Sequence, residues 1–310
     1  MLTAPREATN RPLMLDNETC PYCGRMLADE TSSKEHVVGR NFVPKGTLNA
    51  CWNVILRACH TCNNMKSELE NDLSAITMQP DANGTFAREH DVLIAEARRK
   101  AQRGISRRTR KPVEQSSETI ELSGRFGSAA TFSFTLVAPP QPDEKRVFTL
   151  AHFQLAAFFY TLSYESITPR RGGYWPGGFF PLLMSLRTDW GNAVHRHFME
   201  RVASWNPRMI GFTADKFFRI AVRRHPTQEL WSWALEWNAN LRIVGFFGDV
   251  RAAEEEISRI PKLILDVFAE NERGYFKGRA EVPLPEGEDK MFEDLGGNWG
   301  VPYDRRLTLV

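Results

Sequence analysis

The chain has 310 residues, 42% hydrophobic and 25% charged, a globular composition that excludes disordered and collagen-like classes. Its longest apolar run, Leu150–Leu162, is 13 residues long and contains His152 and Gln154, too short to span a bilayer. The N-terminus has no apolar core or small-residue cleavage site, so a cytoplasmic protein with no membrane contact is expected. The net charge of +2 is small, but residues 1–111 carry 17 Lys/Arg against 13 Asp/Glu, and the remainder 23 against 25.

In chain order, residues 1–17 read as a flexible arm. The next region, 18–86, contains CPYC at 20–23 and CHTC at 59–62. All five cysteines (Cys20, Cys23, Cys51, Cys59 and Cys62) lie within 43 residues. A disulfide framework would spread its bridges, whereas clustered pairs point to metal ligands in a reducing compartment. Each C-x-x-C turns two thiolates toward one ion, and two such knuckles close a tetrahedral zinc site. Four sulfurs leave no open position, so this Zn2+ is expected to be structural. A thioredoxin-type pair is the rival reading, but it lacks a βαβ context and does not explain two pairs. Cys51 is left over and reads as a small buried hydrophobe. His60 reads as a spacer or DNA contact, or as a replacement for one cysteine in a less favoured zinc site.

Between and after the knuckles stand SKEHVV (33–38), Asn53 ahead of an apolar strand, and CNNMK (62–66) at the start of a helix. Asn63 and Lys66 are three residues apart and share a helix face.

This set of CPYC, EHVV, Asn53, CHTC and Asn63 resembles the HNH nuclease family, with its ββα-metal fold, in a variant bracketed by zinc knuckles. The resemblance covers about residues 18–75. It implies His36 as general base on water, Asn53 as the residue that holds His36 in place, and Glu35 with Asn63 as ligands of a catalytic Mg2+ or Mn2+. The motif is H-N-N. Oxygen ligands suit such hard ions, and an imidazole near its ordinary pKa can take a proton at neutral pH. Lys66 would touch a non-bridging phosphate oxygen, and Asn64 competes with Asn63 for the metal. In two departures, Glu35 replaces the commoner Asp, and Gly39 stands where a proline often follows.

Residues 77–86 read as a loop and 87–103 as a helix. From Arg98 to Lys111 there are eight cations in 14 residues (Arg98, Arg99, Lys100, Arg103, Arg107, Arg108, Arg110, Lys111) and no acid. They read as a solvated helix end and linker (87–115) or as a phosphate-binding strip.

Beyond residue 116 the composition changes. Strands are expected over 118–137, a buried helix over 149–165, an aromatic glycine-rich loop over 170–178, and a helix over 188–204 capped by Thr188 or Asp189. KFFRIAVRR, ELWSWALEW and LRIVGFFG then read as strands, with a charged helix near 250–260. The expected architecture is α+β: a small zinc-stapled ββα-metal domain, then a larger α+β domain (116–310) with an antiparallel sheet. That larger part is expected to serve targeting, homo-oligomerisation or a regulatory partner.

The expected function is a metal-dependent HNH endonuclease that hydrolyses DNA (or RNA) phosphodiesters, as an effector in bacterial defence. The alternative is a non-catalytic zinc-stapled nucleic-acid-binding protein.

Overall fold

The computed structural model describes residues 12–293, except 50, 90, 127–129, 265, 272–273, 279 and 286. The first eleven residues of the expected arm lie outside the described residues. The rest of that arm is tied down. Strands β1 (Leu13–Met14), β2 (Ser32–His36) and β3 (Val54–Cys59) form a sheet in the order β1-β3-β2, with β1 parallel and β2 antiparallel to β3. Asn17 is fully buried, and its side chain meets both backbone groups of Arg57, at 2.8 Å each.

Helix α1 (His60–Thr77) leaves directly from the end of β3. Its buried positions Cys62, Lys66, Leu69, Leu73 and Ile76 recur every three or four residues, the stripe that one packed face of a helix requires. Helix α2 (Asp91–Arg103) starts four residues later than expected. The hairpin of β4 (Glu118–Phe126) and β5 (Ala130–Ala138) follows, as the sequence suggests.

Helix α3 (Glu144–Leu162) is capped by Asp143, which accepts the Arg146 N–H at 2.9 Å. Then come β6 (Gly178–Leu186), α4 (Ala193–Val202), β7 (Asn206–Thr213), β8 (Phe218–Arg224), β9 (Leu230–Trp237), β10 (Leu241–Gly248), α5 (Val250–Ser258) and the hairpin β11 (Asp266–Asn271) with β12 (Gly274–Gly278). Strands β6 to β10 make one antiparallel sheet in the order β6-β10-β9-β8-β7. The overall class is therefore α+β with antiparallel sheets.

The sheet is covered on both faces. Along β9, Trp231, Trp233, Leu235 and Trp237 join the cluster that contains α3, while Leu230 and Ala234 join the cluster with Val194 and Phe198 of α4 and Ala252 and Ala253 of α5. This is the two-residue period of a strand. Strands β9 and β10 are buried at every position.

Helix α3 lies between α1 with the segments flanking the small sheet on one side and the large sheet on the other. Tyr22 packs on Phe153 and Trp52 on Phe158 from one side, while Phe218 packs on Phe158 and Trp231 on Phe159 from the other. One apolar cluster includes Val37, Phe42 and Leu56 together with Phe158, Trp233 and Phe247. That cluster has members on both sides of residue 116.

The cap of α4 also differs from expectation. Arg187–Asp189 curls into a 3-10 turn, and Asn192 caps the helix by accepting the His195 N–H at 3.0 Å.

Candidate functional site

The four cysteines of the two knuckles converge. Their sulfurs all lie within 4.8 Å of one another, and Cys23 Sγ is 3.8 Å from Cys59 Sγ. A tetrahedral zinc with sulfurs at about 2.3 Å has edges of about 3.8 Å, so the spacing fits that ion. The first knuckle closes because Gly24 adopts φ +72° and donates its N–H to the Cys20 carbonyl at 2.9 Å, a conformation that favours glycine. Tyr174 donates to the same carbonyl at 2.6 Å from the other side. In the second knuckle Cys59 ends β3 and Cys62 sits in the first turn of α1. His60 is exposed, with Nε2 3.2 Å from the Glu30 carbonyl, and it and Cys51 are outside the group. Burial pushes the Cys20 thiol up, and four thiolates this close need a divalent counter-charge.

Strand β2 leads from this scaffold to the His36 turn. Ser33 and Glu35 face α1, where Asn63 donates to Ser33 Oγ at 2.7 Å and Lys66 stands 2.6 Å from Glu35 Oε1. Asn64 is exposed. Strand alternation leaves Lys34 and His36 on the opposite face. The His36 carbonyl, not its imidazole, enters the seam and accepts from Lys66 at 3.0 Å. The imidazole is half-buried, and burial first, then the charges of Arg40, Lys34 and Lys66, holds it below its ordinary value. That direction favours the neutral ring, and exposed Lys34 and Arg40 are its neighbours.

After His36 the chain turns, and the turn is held from three sides. Asn53 meets both backbone groups of Val38, at 3.2 and 2.8 Å. Ser74 of α1 donates to the carbonyls of Asn41 and Phe42, at 2.9 and 3.0 Å. Asn238, from the β9–β10 turn, donates to the Phe42 carbonyl at 3.2 Å.

Two expected contacts take other places. Lys66 is not at a phosphate position. It is 1% exposed, and its ammonium is bonded to Glu35 and also to Glu70, at 2.6 Å. Burial opposes that charge, but the Glu70 and Glu35 carboxylates outweigh it and hold the ammonium above its ordinary value. Glu35 also accepts from Tyr22 at 3.1 Å. Apart from the four cysteines, no group of three or more His, Cys, Asp or Glu among the described residues is placed to hold an ion. As they stand, Glu35 and Asn63 do not fit a divalent cation, because the cation facing Glu35 is a lysine.

The basic strip is also divided. Lys100 is buried and donates to the Asn41 carbonyl and Ser74 Oγ, so it braces the turn from within. Arg99 is paired with Glu96, and Arg108 with Glu118. Arg98, Arg103, Arg107, Arg110 and Lys111 are exposed. Residue-type reasoning missed Tyr22, Lys34, Arg40 and Glu70. The available signals were the i, i+2 spacing of Lys34 and His36 and the i, i+4 spacing of Lys66 and Glu70. In the 170–178 loop, Arg170 pairs with Asp16 and Glu18, and Trp175 stacks on Phe247 with centroids 4.5 Å apart, so these groups are spent on packing.

No helix among the described residues is long and apolar enough to cross a membrane. Comparison with protein-family models, with curated proteins and with solved structures finds no match to this chain.

Proposed function

We propose that the chain is a nuclease of HNH type that hydrolyses nucleic-acid phosphodiesters at the His36 turn. The observation that carries this reading is the half-buried imidazole of His36, flanked by exposed Lys34 and Arg40, which favour its neutral form, on a turn clamped by Asn53. A neutral imidazole can take a proton from water at pH 7. Two cations beside it attract the phosphodiester and offset charge that builds on its oxygens. The cysteine cluster, with zinc bound, staples the strand and helix that carry the turn. In the HNH reading an Mg2+ or Mn2+ would supply further charge neutralisation, but the Lys66–Glu35 contact stands against that ion here.

The test is cleavage of plasmid, single-stranded DNA and RNA by the purified full chain, with and without Mg2+ or Mn2+. Wild type is expected to cut, and His36→Ala to lose about 10²-fold or more in rate. Equal cleavage by the two proteins, or none by either at any metal concentration, defeats the reading.

The same lysine favours a second reading, a zinc-stapled module that binds nucleic acid without cutting it. Affinity would then rest on exposed Arg98, Arg103, Arg107, Arg110 and Lys111. Each phosphate contact removed should lower the log–log salt slope by about 0.9 on duplex DNA. A slope unchanged by charge reversal of Arg103 and Arg107 would count against it.

A further inference from the structure

The seam between β2 and α1 is built around one ammonium. Alternation along β2 turns Glu35 toward α1, and the four-residue spacing on α1 sets Lys66 and Glu70 on one stripe. Lys66 has three N–H groups, and three acceptors meet them: Glu35 Oε1 at 2.6 Å, Glu70 Oε1 at 2.6 Å and the His36 carbonyl at 3.0 Å. The ammonium is therefore saturated, and a lysine offers an ion no acceptor.

Gly39 belongs to the same arrangement. A Cβ placed there would lie 2.3 Å from Glu70 Oε2 and 2.7 Å from its Cδ. The carboxylate of Glu70 thus rests where any other residue at position 39 would put its side chain. The glycine that departs from the family pattern and the lysine that faces Glu35 are two parts of one constellation.

We propose that Lys66 takes the place of a divalent ion against Glu35, so that the chain binds zinc at its cysteines and no second metal while Lys66 is present. The inference rests on reading the His36 turn as a phosphodiesterase site of HNH type. A neutral side chain at position 66 would free the Glu35 and Glu70 carboxylates, with Asn63 one turn back on the same helix face, to take such an ion.

The test is Mn2+ titration of the zinc-loaded full chain, with free Mn2+ followed by electron paramagnetic resonance. Wild type and Lys66→Arg are expected to show no stoichiometric binding at millimolar Mn2+. Lys66→Gln should bind one equivalent about tenfold or more tighter, the order by which groups contacting a ligand shift metal affinity. Equal binding by wild type and Lys66→Gln, or none by either, overturns the proposal. Stoichiometric Mn2+ on wild type overturns the proposal by itself, and if Lys66→Gln does not fold, Lys66→Met is titrated in its place on the same criteria. Plasmid cleavage is scored separately. Mn2+ binding gained without cleavage leaves this inference standing and defeats the nuclease reading, whereas cleavage with equal Mn2+ binding does the reverse.

Discussion

Asn53 answers both backbone polar groups of Val38, accepting its N–H at 3.2 Å and donating to its carbonyl at 2.8 Å. Val38 is fully buried and Asn53 nearly so, at 4% exposure. The clamp fixes where the chain turns after His36, although the two residues are fifteen apart in sequence.

Asn53→Ala would remove the partner of both groups of a fully buried residue. The expected loss is about 1–3 kcal/mol for each buried group left unpaired. Urea unfolding of wild type and variant measures it, and an unchanged midpoint would show that the clamp carries no stability.

Gly39→Ala should act through Glu70. The added methyl meets a carboxylate that Lys66 holds at 2.6 Å, and overpacking of this kind costs about 1–3 kcal/mol. In a Glu70→Ala background the same change should be nearly neutral, giving a coupling above about 0.5 kcal/mol in a double-mutant cycle. Additive effects would remove the argument that position 39 is glycine because of Glu70.

The zinc site predicts a contrast among cysteines. Elemental analysis should find one zinc per chain, lost or much weakened in Cys59→Ser and retained in Cys51→Ser, since Cys51 lies outside the converging group. Chelation should unfold the region around the knuckles, because binding energy at a structural zinc is folding energy. A fully folded, zinc-free Cys59→Ser protein would contradict this.

Burial pulls the Lys100 pKa from 10.5 down to about 8. As pH falls from 10.5 toward 8, the unfolded chain takes up the proton and the folded chain does not, so stability falls over that window. Below 8 both states are protonated and the loss is constant. Stability should thus rise between pH 8 and 10.5, and Lys100→Met should lack that component. Parallel stability–pH curves for the two proteins in this window would refute the assignment.

For His36, burial and then the Arg40 and Lys34 charges depress the pKa. A base must be neutral to act, so the acid limb of any cleavage–pH profile should fall below pH 6.5, with a plateau at pH 7. Arg40→Glu removes a repelling charge and should move the limb upward. Titration of the His36 ring by NMR reads the same shift without requiring turnover, and an unmoved midpoint would exclude Arg40 as a cause.

The sequence by itself determined the features set by short spacing. Two C-x-x-C knuckles announce a four-sulfur site because chelation by neighbours in the chain needs little else, and the four sulfurs do converge. The three strands from 217 to 247 were legible because bulky and β-branched residues alternate along them. Asn53 and Asn63 were named for their positions, and each bonds to β2 or to the turn that follows it.

The tertiary structure decided the charges. Lys66 reads as a phosphate contact, and only the packing of β2 on α1 buries that ammonium against Glu35 and Glu70. Lys100 reads as one of eight basic residues, yet the Asn41 carbonyl inside the fold draws it in. Strands β6 and β7 gave no clear signal because each contains a proline, Pro181 or Pro207, which an edge strand tolerates and a central one does not. Local spacing sets which side chains can share a ligand or a face. The burial of Lys66 against Glu35 and of Lys100 against the Asn41 carbonyl joins segments more than thirty residues apart, and no local pattern encodes them.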